Sequence, residues 1–352
     1  MKKQFMFMAM AAMLIASCSS DDVVSTNTGR AIDFRTSVGT RGTETTTANI
    51  GKFWVTAIDG AGANYFSQQE FTKAGEFFTS SPLYYWPAGK LDFVAYSPSG
   101  TDLGATVTIN SSTKTLADFS PAEQIAKQKD FVTATASGTR TPNETNGVEL
   151  TFAHQLSQIE IKAKNSNTGY VYKVVGVRIG KPVSKGTFTF GANTWALTTT
   201  EKSNYAVEYA TDEKTLTADA ATMMGEGGNA MLLPQQLKAW ASETDKTNTN
   251  NGAYIALKIQ LTTKDGARVY PAKGRDYDWA AVAIGTEWEA GKKYVYTLDF
   301  SAGAGKVDPE KKPEPTDPKD PFKPGEDILG GPIKFKVTVT DWKPAVQPDI
   351  NM

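Results

Sequence analysis

The sequence predicts an all-β protein, and three observations support that fold class. The chain of 352 residues is rich in Thr, Val, Tyr and Phe, which are residue types that strands favour. Short segments of alternating apolar and polar residues recur, and turn signals such as Asp59-Gly60 and Asp265-Gly266 separate them. Segments with the 3.6-residue period of an amphipathic helix are few. We therefore expect β-sandwiches.

The clearest strand patterns are spread over the whole chain. In order, they are residues 53–58, 107–109, 148–152, 159–163, 254–259, 293–300 and 333–339. The last two alternate most regularly, so one face of each strand carries the apolar side chains. Helices are expected at residues 121–130, where Pro121 suits a first turn, and at residues 218–224.

The N-terminus has the order of a secretory signal. Lys2 and Lys3 precede an apolar run over residues 5–15, and small residues then lead to Cys18. The run is shorter than the roughly 20 residues that a permanent transmembrane helix needs. We therefore predict a signal peptide at residues 1–17.

Cys18 is the single cysteine of the chain. With Ile15 three places before it and small residues between, it resembles the lipobox of bacterial lipoproteins, in which the cysteine thiol receives a lipid. An incidental cysteine after a plain signal peptide is the alternative. We predict lipidation at Cys18, followed by a polar tether over residues 18–30.

The rest of the chain is long enough for one large or two ordinary domains. Residues 136–147 are rich in Gly, Pro and Asn and almost free of apolar residues, so we predict the boundary there. This assigns residues 31–147 to an N-terminal sandwich and residues 148–352 to a C-terminal one. Within the latter, residues 306–324 alternate Pro, Lys, Glu and Asp, which predicts an extended or disordered spacer.

The composition argues against catalysis and cofactor binding. His154 is the single histidine, and its apolar neighbours favour a structural role over a catalytic one. Zinc needs several His or Cys ligands, so we expect no metal and no cofactor. The formal net charge of −1 gives no polybasic surface for nucleic acid. Tyr84, Tyr85 and Trp86 could form a sugar-stacking platform, although packing at the rim of a sandwich is the more ordinary role.

Two strands at opposite ends of the chain share one pattern. Aligned, they pair Ile32 with Ile333, Phe34 with Phe335, Thr36 with Val337, and Val38 with Val339. Because side chains alternate between faces, both strands carry their apolar residues at equivalent positions. The two strands could therefore fill the same groove at different times.

Together with this pair of strands, several short motifs resemble those of the fimbrillins of Bacteroidales, in particular the Mfa-like branch. They are the lipobox at Cys18, Ile32-x-Phe34 with Thr40-Arg41, residues 85–98, residues 150–156, residues 232–235, residues 288–296 and residues 339–342. The resemblance covers nearly the whole chain, and it is the order of the motifs that makes it specific.

The resemblance implies two transthyretin-like β-sandwiches in tandem, exported as a lipoprotein precursor to the outer membrane. It also implies that an arginine-specific protease cuts after Arg41 and removes residues 31–40, with Arg30 as a second possible cut. The displaced strand would carry Ile32, Phe34 and Val38. The donor strand of residues 331–342 would insert Ile333, Phe335, Val337 and Val339 into another subunit.

We therefore expect a non-enzymatic fimbrial subunit that supports cell adhesion, located in the outer membrane and the fimbrium. Its expected partners are other fimbrial subunits, the membrane through lipid, and the protease. Two alternatives remain open: an uncut anchor or accessory subunit, and a glycan-binding surface lipoprotein.

Overall fold

The computed structural model describes residues 29–37, 50–209, 212–225, 228–244, 250–272, 274–311 and 321–342, and most of these residues lie in strands. The strands up to His154 are β1 (Phe34–Ser37), β2 (Lys52–Asp59), β3 (Asn64–Ala74), β4 (Phe77–Ser80), β5 (Leu91–Ser97), β6 (Thr106–Ile109), β7 (Lys114–Phe119), β8 (Val132–Gly138), β9 (Val148–Thr151) and β10 (Ala153–His154). After His154 come β11 (Ser157–Lys164), β12 (Tyr170–Val183), β13 (Gly186–Thr189), β14 (Thr194–Leu197), β15 (Lys202–Glu208), β16 (Lys214–Thr215), β17 (Ala221–Thr222), β18 (Ala230–Leu232), β19 (Gln235–Gln236), β20 (Tyr254–Thr263), β21 (Arg268–Tyr270), β22 (Asp278–Ala283), β23 (Glu287–Trp288), β24 (Lys292–Asp299), β25 (Lys306–Val307) and β26 (Lys334–Asp341). The all-β prediction is confirmed.

The first sheet contains eight strands in the order β10-β8-β5-β2-β3-β4-β1-β9. Its two end strands, β9 and β10, are consecutive in the chain and are separated by Phe152 alone, so the sheet curls back on itself. Side chains on its inner face, among them Phe53, Phe71 and Phe93, form one buried core. A curled sheet of this kind hides its own apolar face without a second layer.

The second unit is a sandwich of two sheets. One has the order β17-β11-β24-β26, with β18 also on β11; the other has the order β15-β12-β20-β22-β25, with β16 on β12 and β21 on β20. Alternate residues of β11 and β24, such as Ile159 and Tyr296, meet those of β20, such as Leu257, in a shared core. The alternation seen in the sequence is thus the inward-facing side of each sheet.

A third core joins the two units. A four-stranded sheet, β14-β13-β7-β6, combines strands from both halves of the sequence. Its Phe188 packs with Phe131, and Phe190, just after β13, packs with Tyr96, which lies on the outer face of the first sheet. Strand β5 is therefore buried on both faces, since Phe93 lies in the first core while Tyr96 lies in this one. The two units share buried surface here, whereas linked but separate domains would not.

The boundary predicted between Gly147 and Val148 lies too early. Strand β9 pairs with β1, and β10 pairs with β8, so both belong to the first sheet. The change of sheet falls between His154 and Ser157. The segment 136–147 is not a linker either, because it contains the end of β8 and the short helix α1 (Arg140–Asn146).

Neither predicted helix forms as expected. Within residues 121–130 the chain makes a single 3-10 turn, Ile125–Lys127, whose Ile125 is buried in the second core. Within residues 218–224 it makes strand β17, which pairs with β11. Among the described residues, no helix has the length and apolar character needed to cross a membrane.

The predicted spacer is folded over its first six residues. Strand β25 pairs with β22, and the side chains that follow it make buried ion pairs. The guanidinium of Arg178 lies 2.5 Å from the carboxylate of Asp308, and the Lys311 ammonium lies 3.1 Å from Asp278. A charge-rich segment can be buried when each charge has such a partner, and the sequence of the segment alone does not reveal one.

The junction core gives a first testable expectation. Phe188 is fully buried, and its ring centroid lies 5.1 Å from those of Phe131 and Trp195. Phe188→Ala should lower the free energy of unfolding by about 3–5 kcal/mol, because it leaves a cavity between the two units. Chemical denaturation measures the change. Leu83→Ala, at a side chain that is 52% exposed, is the control and should shift stability by less than about 0.5 kcal/mol.

Candidate functional site

Strand β1 fills a gap between two other strands of the first sheet. It runs antiparallel to β4 through the pair Phe34–Phe78, and parallel to β9 from Phe34–Val148 to Ser37–Thr151. The bonding extends upstream of the strand, where the Ile32 amide donates to the Tyr84 carbonyl at 2.7 Å. The segment is therefore paired on both sides.

The apolar side chains of this segment are fully buried. Ile32 and Phe34 each have 0% exposure. The Phe34 ring meets Phe71 at 4.7 Å and Phe93 at 5.2 Å between centroids, both nearly perpendicular. Edge-to-face contacts of this kind stabilise an aromatic core beyond the area that they bury. Phe53, at 6.0 Å, completes the pocket.

Charged groups lie beside the same segment, and of these only Arg30, as the second possible cut, has a role predicted from the sequence. The Arg35 guanidinium lies 4.5 Å from the centre of the Phe77 ring, which is a cation–π contact. Burial raises the pKa of the Asp33 carboxyl, while the positive charges of Arg30 and Arg35 act in the opposite direction. At an exposed site such a cation–π contact contributes about 0.5–1 kcal/mol.

Arg30, the second possible cut, lies at the start of the described segment. Its amide donates to Glu144 at 3.0 Å, and Glu144 also pairs with Arg140 at 3.0 Å. The segment is thus attached to α1 just before it enters the sheet. Three other predicted site residues, Cys18, Val38 and Arg41, lie outside the described residues.

The C-terminal strand lies at a different place, in the second unit. β26 pairs antiparallel with β24 over eight residue pairs, and β24 is its one ladder neighbour among the described strands. Phe335 is 38% exposed and Val339 is 51% exposed, while Val337 packs partly on the second core. Ile333, just before the strand, is buried. Two strands of one pattern therefore differ sharply in burial.

The single histidine lies in a packed environment. His154 is buried, its Nδ1 lies 3.0 Å from a carboxylate oxygen of Asp130, and its ring stacks on Trp342 at 4.0 Å. These contacts are those of a structural residue. Among the residues that the structure describes, no group of three or more His, Cys, Asp or Glu side chains is placed to hold a metal ion.

The aromatic run at residues 84–86 packs on the first core. Trp86 is buried against Phe93 at 5.9 Å, and the Tyr84 ring lies 4.6 Å from that of Phe66. The Tyr85 carbonyl accepts a hydrogen bond from the Tyr65 hydroxyl. Tyr84 and Trp86 thus pack at the rim of the first core, beside β1.

Comparison with known proteins agrees with this architecture. The model of the Fimbrillin-like family matches residues 38–342, which is most of the chain. The chain belongs to this family. The resemblance to the Mfa-like fimbrillins, drawn from the sequence motifs, is confirmed.

Two relatives show how far the similarity extends. Fimbrium subunit Fim1C of Phocaeicola vulgatus is 27% identical over 312 residues, covering 74% of this chain and 82% of that protein. The crystal structure of a fimbrial protein from Bacteroides vulgatus has a TM-score of 0.59 and 16% identity, covering 89% of this chain and all of that one. At that identity the structure supports the fold.

The two strands make a matched test of the site. Phe34→Ala should lower the free energy of unfolding by about 3–5 kcal/mol, because the ring is fully buried among three others. Phe335→Ala should change it by less than about 1 kcal/mol, because that ring is partly in solvent. Urea denaturation of the two uncut variants gives both values. Equal losses would mean that the C-terminal strand is as much a part of the core as the first one.

Proposed function

We propose that this fimbrillin is a subunit that polymerises by exchanging its first strand for the C-terminal strand of another subunit. Family membership and the fimbrial relatives support the coarser statement, that it is a fimbrial structural subunit that assembles with other fimbrial subunits. The strand exchange is our inference from the geometry of β1. The observation that carries it is the complete burial of Ile32 and Phe34 in a slot with a strand on either side.

Removal of the first strand would leave an acceptor groove. The facing edges of β4 and β9 would lose their ladder partner, and the pocket of Phe53, Phe71 and Phe93 would open to water. Unpaired strand edges beside exposed apolar surface form a template for another strand. An incoming strand satisfies the backbone and fills the pocket in one step.

The C-terminal strand matches what the groove needs. Aligned on β1, Phe335 takes the place of Phe34, and Ile333 takes that of Ile32. Lys336 takes the place of Arg35, so a cation would again lie over Phe77. The match therefore includes the exposed face as well as the buried one.

The energetics favour transfer once the groove is empty. Three or four apolar side chains at roughly 1.5–3 kcal/mol each give about 5–12 kcal/mol of gross driving force. The cost of ordering the incoming strand reduces that figure, as does the loss of the pairing with β24 and of the burial of Ile333 in its own subunit. Phe335 and Val339, partly exposed at the edge of their own sheet, would gain most of this burial in the groove.

The cut after Arg41 is the part of the proposal that can be tested most directly. Arg41→Ala should leave a monomer after treatment with an arginine-specific protease, because the intact first strand competes at high effective concentration. The wild-type chain should be cut and form ladders on unheated gels. N-terminal sequencing of the product verifies the cut.

Two further arginines provide controls. Arg35→Ala removes an arginine whose backbone is paired with Glu149 of β9 inside the sheet, and nicking concentrates at loops instead, so conversion should be unchanged. Arg30→Ala tests the second possible cut, which would leave β1 in place. Strand exchange would be contradicted if the wild type and Arg41→Ala formed equal amounts of polymer. It would also be contradicted if the wild type formed no polymer after a verified cut.

Export as a lipoprotein is a separate part of the proposal. Cys18→Ala should abolish labelled-palmitate incorporation and release the protein from the outer membrane, because lipid attachment would depend on that thiol. The fold should be unaffected, as judged by the unfolding midpoint of the purified chain. Continued partition of Cys18→Ala with outer membrane would show that the lipoprotein assignment is wrong.

A further inference from the structure

The end of the C-terminal strand contacts the first unit, whereas the strand itself belongs to the second. Trp342 follows β26 directly and is 7% exposed. Its ring lies parallel to that of His154, with an interplanar angle of 8° and 4.0 Å between centroids. His154 is part of β10, at one end of the first sheet. This aromatic pair therefore links the end of the C-terminal strand to the first unit.

His154 is fixed before the indole meets it. Its Nδ1 lies 3.0 Å and 3.1 Å from the two carboxylate oxygens of Asp130, whose side chain is nearly fully buried. Its backbone pairs with Val132 in β8, and the next amide, that of Gln155, donates to the Phe131 carbonyl at 2.9 Å. Because the His154 ring is already fixed, stacking of the Trp342 indole on it immobilises few additional side chains and so costs little conformational entropy.

Side chains hold the C-terminal strand mainly at its two ends. At the start, Ile333 is buried over Gly305, where a side chain in place of hydrogen would approach the Ile333 Cδ1 to 2.6 Å. At the other end, the Trp342 amide donates to the Gly291 carbonyl at 2.8 Å and its ring stacks on His154. Between these points the side chains of β26 are mostly exposed, apart from Val337, although the Phe335 ring lies 6.1 Å from that of Tyr296 and Asp341 pairs with Lys292 at 2.5 Å.

We propose that His154 and Asp130 form a seat for the indole of Trp342, and that this seat retains the C-terminal strand on its own subunit. The occupant is a segment of the same chain, placed there by its own sheet. The reason for retaining the strand rests on the proposed donor role. A donor strand with exposed Phe335 and Val339 would have to remain bound to its own subunit until an empty groove is available. Release of the C-terminal strand from its own sheet requires the Trp342 indole to unstack from His154.

Hydrogen–deuterium exchange of the uncut, full-length monomer tests the seat. In Trp342→Ala, the peptide covering residues 334–341 should exchange about tenfold faster or more, because an aromatic stack and a buried indole no longer oppose opening. The peptide covering β12 should not change. Trp279→Ala, which removes a half-buried indole from β22 in the sheet that does not contain β26, is the matched control and should leave residues 334–341 at the wild-type rate.

A second variant approaches the same contact from the other side. His154→Ala should also accelerate exchange of residues 334–341, and the double variant should exchange no faster than Trp342→Ala alone, since both remove one interaction. An unchanged rate in Trp342→Ala, or rate increases that multiply in the double variant, would overturn the seat. If His154→Ala accelerates β12 as well, it has destabilised the whole fold, and the result for Trp342→Ala decides.

The outcome is distinguishable from that of the proposed function. The exchange experiment uses neither protease nor polymer. If residues 334–341 exchange faster in Trp342→Ala but a verified cut of the wild type yields no ladders, the proposed seat is supported and strand exchange is contradicted. If the cut wild type forms ladders but Trp342→Ala does not change the exchange rate, strand exchange is supported and the proposed seat is contradicted.

Discussion

The first unit depends on strand β1 filling the gap between β4 and β9. Among the described strands, β9 has β1 as its only ladder neighbour, and β1 also closes the inner aromatic core with Phe34. A sheet that curls on itself has no second layer to cover a missing strand, so a vacancy between β4 and β9 opens directly into the core. Backbone pairing and side-chain burial are therefore lost together, and they are restored together by any strand of the same pattern.

The two units are coupled through buried surface as well as through the chain. The sheet formed by β7 and β13 crosses from one half of the sequence to the other, and Tyr96 and Phe190 meet in the core beneath it. His154 and Trp342 add a contact at the edge of the same core. The position of the C-terminal strand is thereby tied to the first unit, although its ladder partner is β24 of the second.

Sequence pattern predicted the strands well where alternation was long and the partner was nearby. Residues 53–58 and 293–300 became β2 and β24 with nearly the expected bounds. Residues 136–147 and 306–311 were misread, because a polar composition looked like a linker when the polar groups had partners far away in sequence, such as Arg178 for Asp308. Composition reports local preference, whereas burial of a charge depends on a residue that only the fold brings near.

The same limit applies to the two matching strands. The shared pattern of Phe34 and Phe335 was visible in the sequence, but their exposures of 0% and 38% were not, because burial depends on the position of a strand within its sheet. In the proposed exchange, the covalent attachment of the first strand decides which of the two strands occupies the groove. A tethered strand acts at an effective concentration of roughly millimolar, so a free donor at micromolar concentration and equal affinity loses by about a thousandfold. With similar apolar side chains on both strands, affinity cannot reverse that ratio. In the proposed mechanism, the barrier to assembly in the uncut chain is therefore the covalent link of the first strand, and a single cut in that link would make the two strands equal competitors.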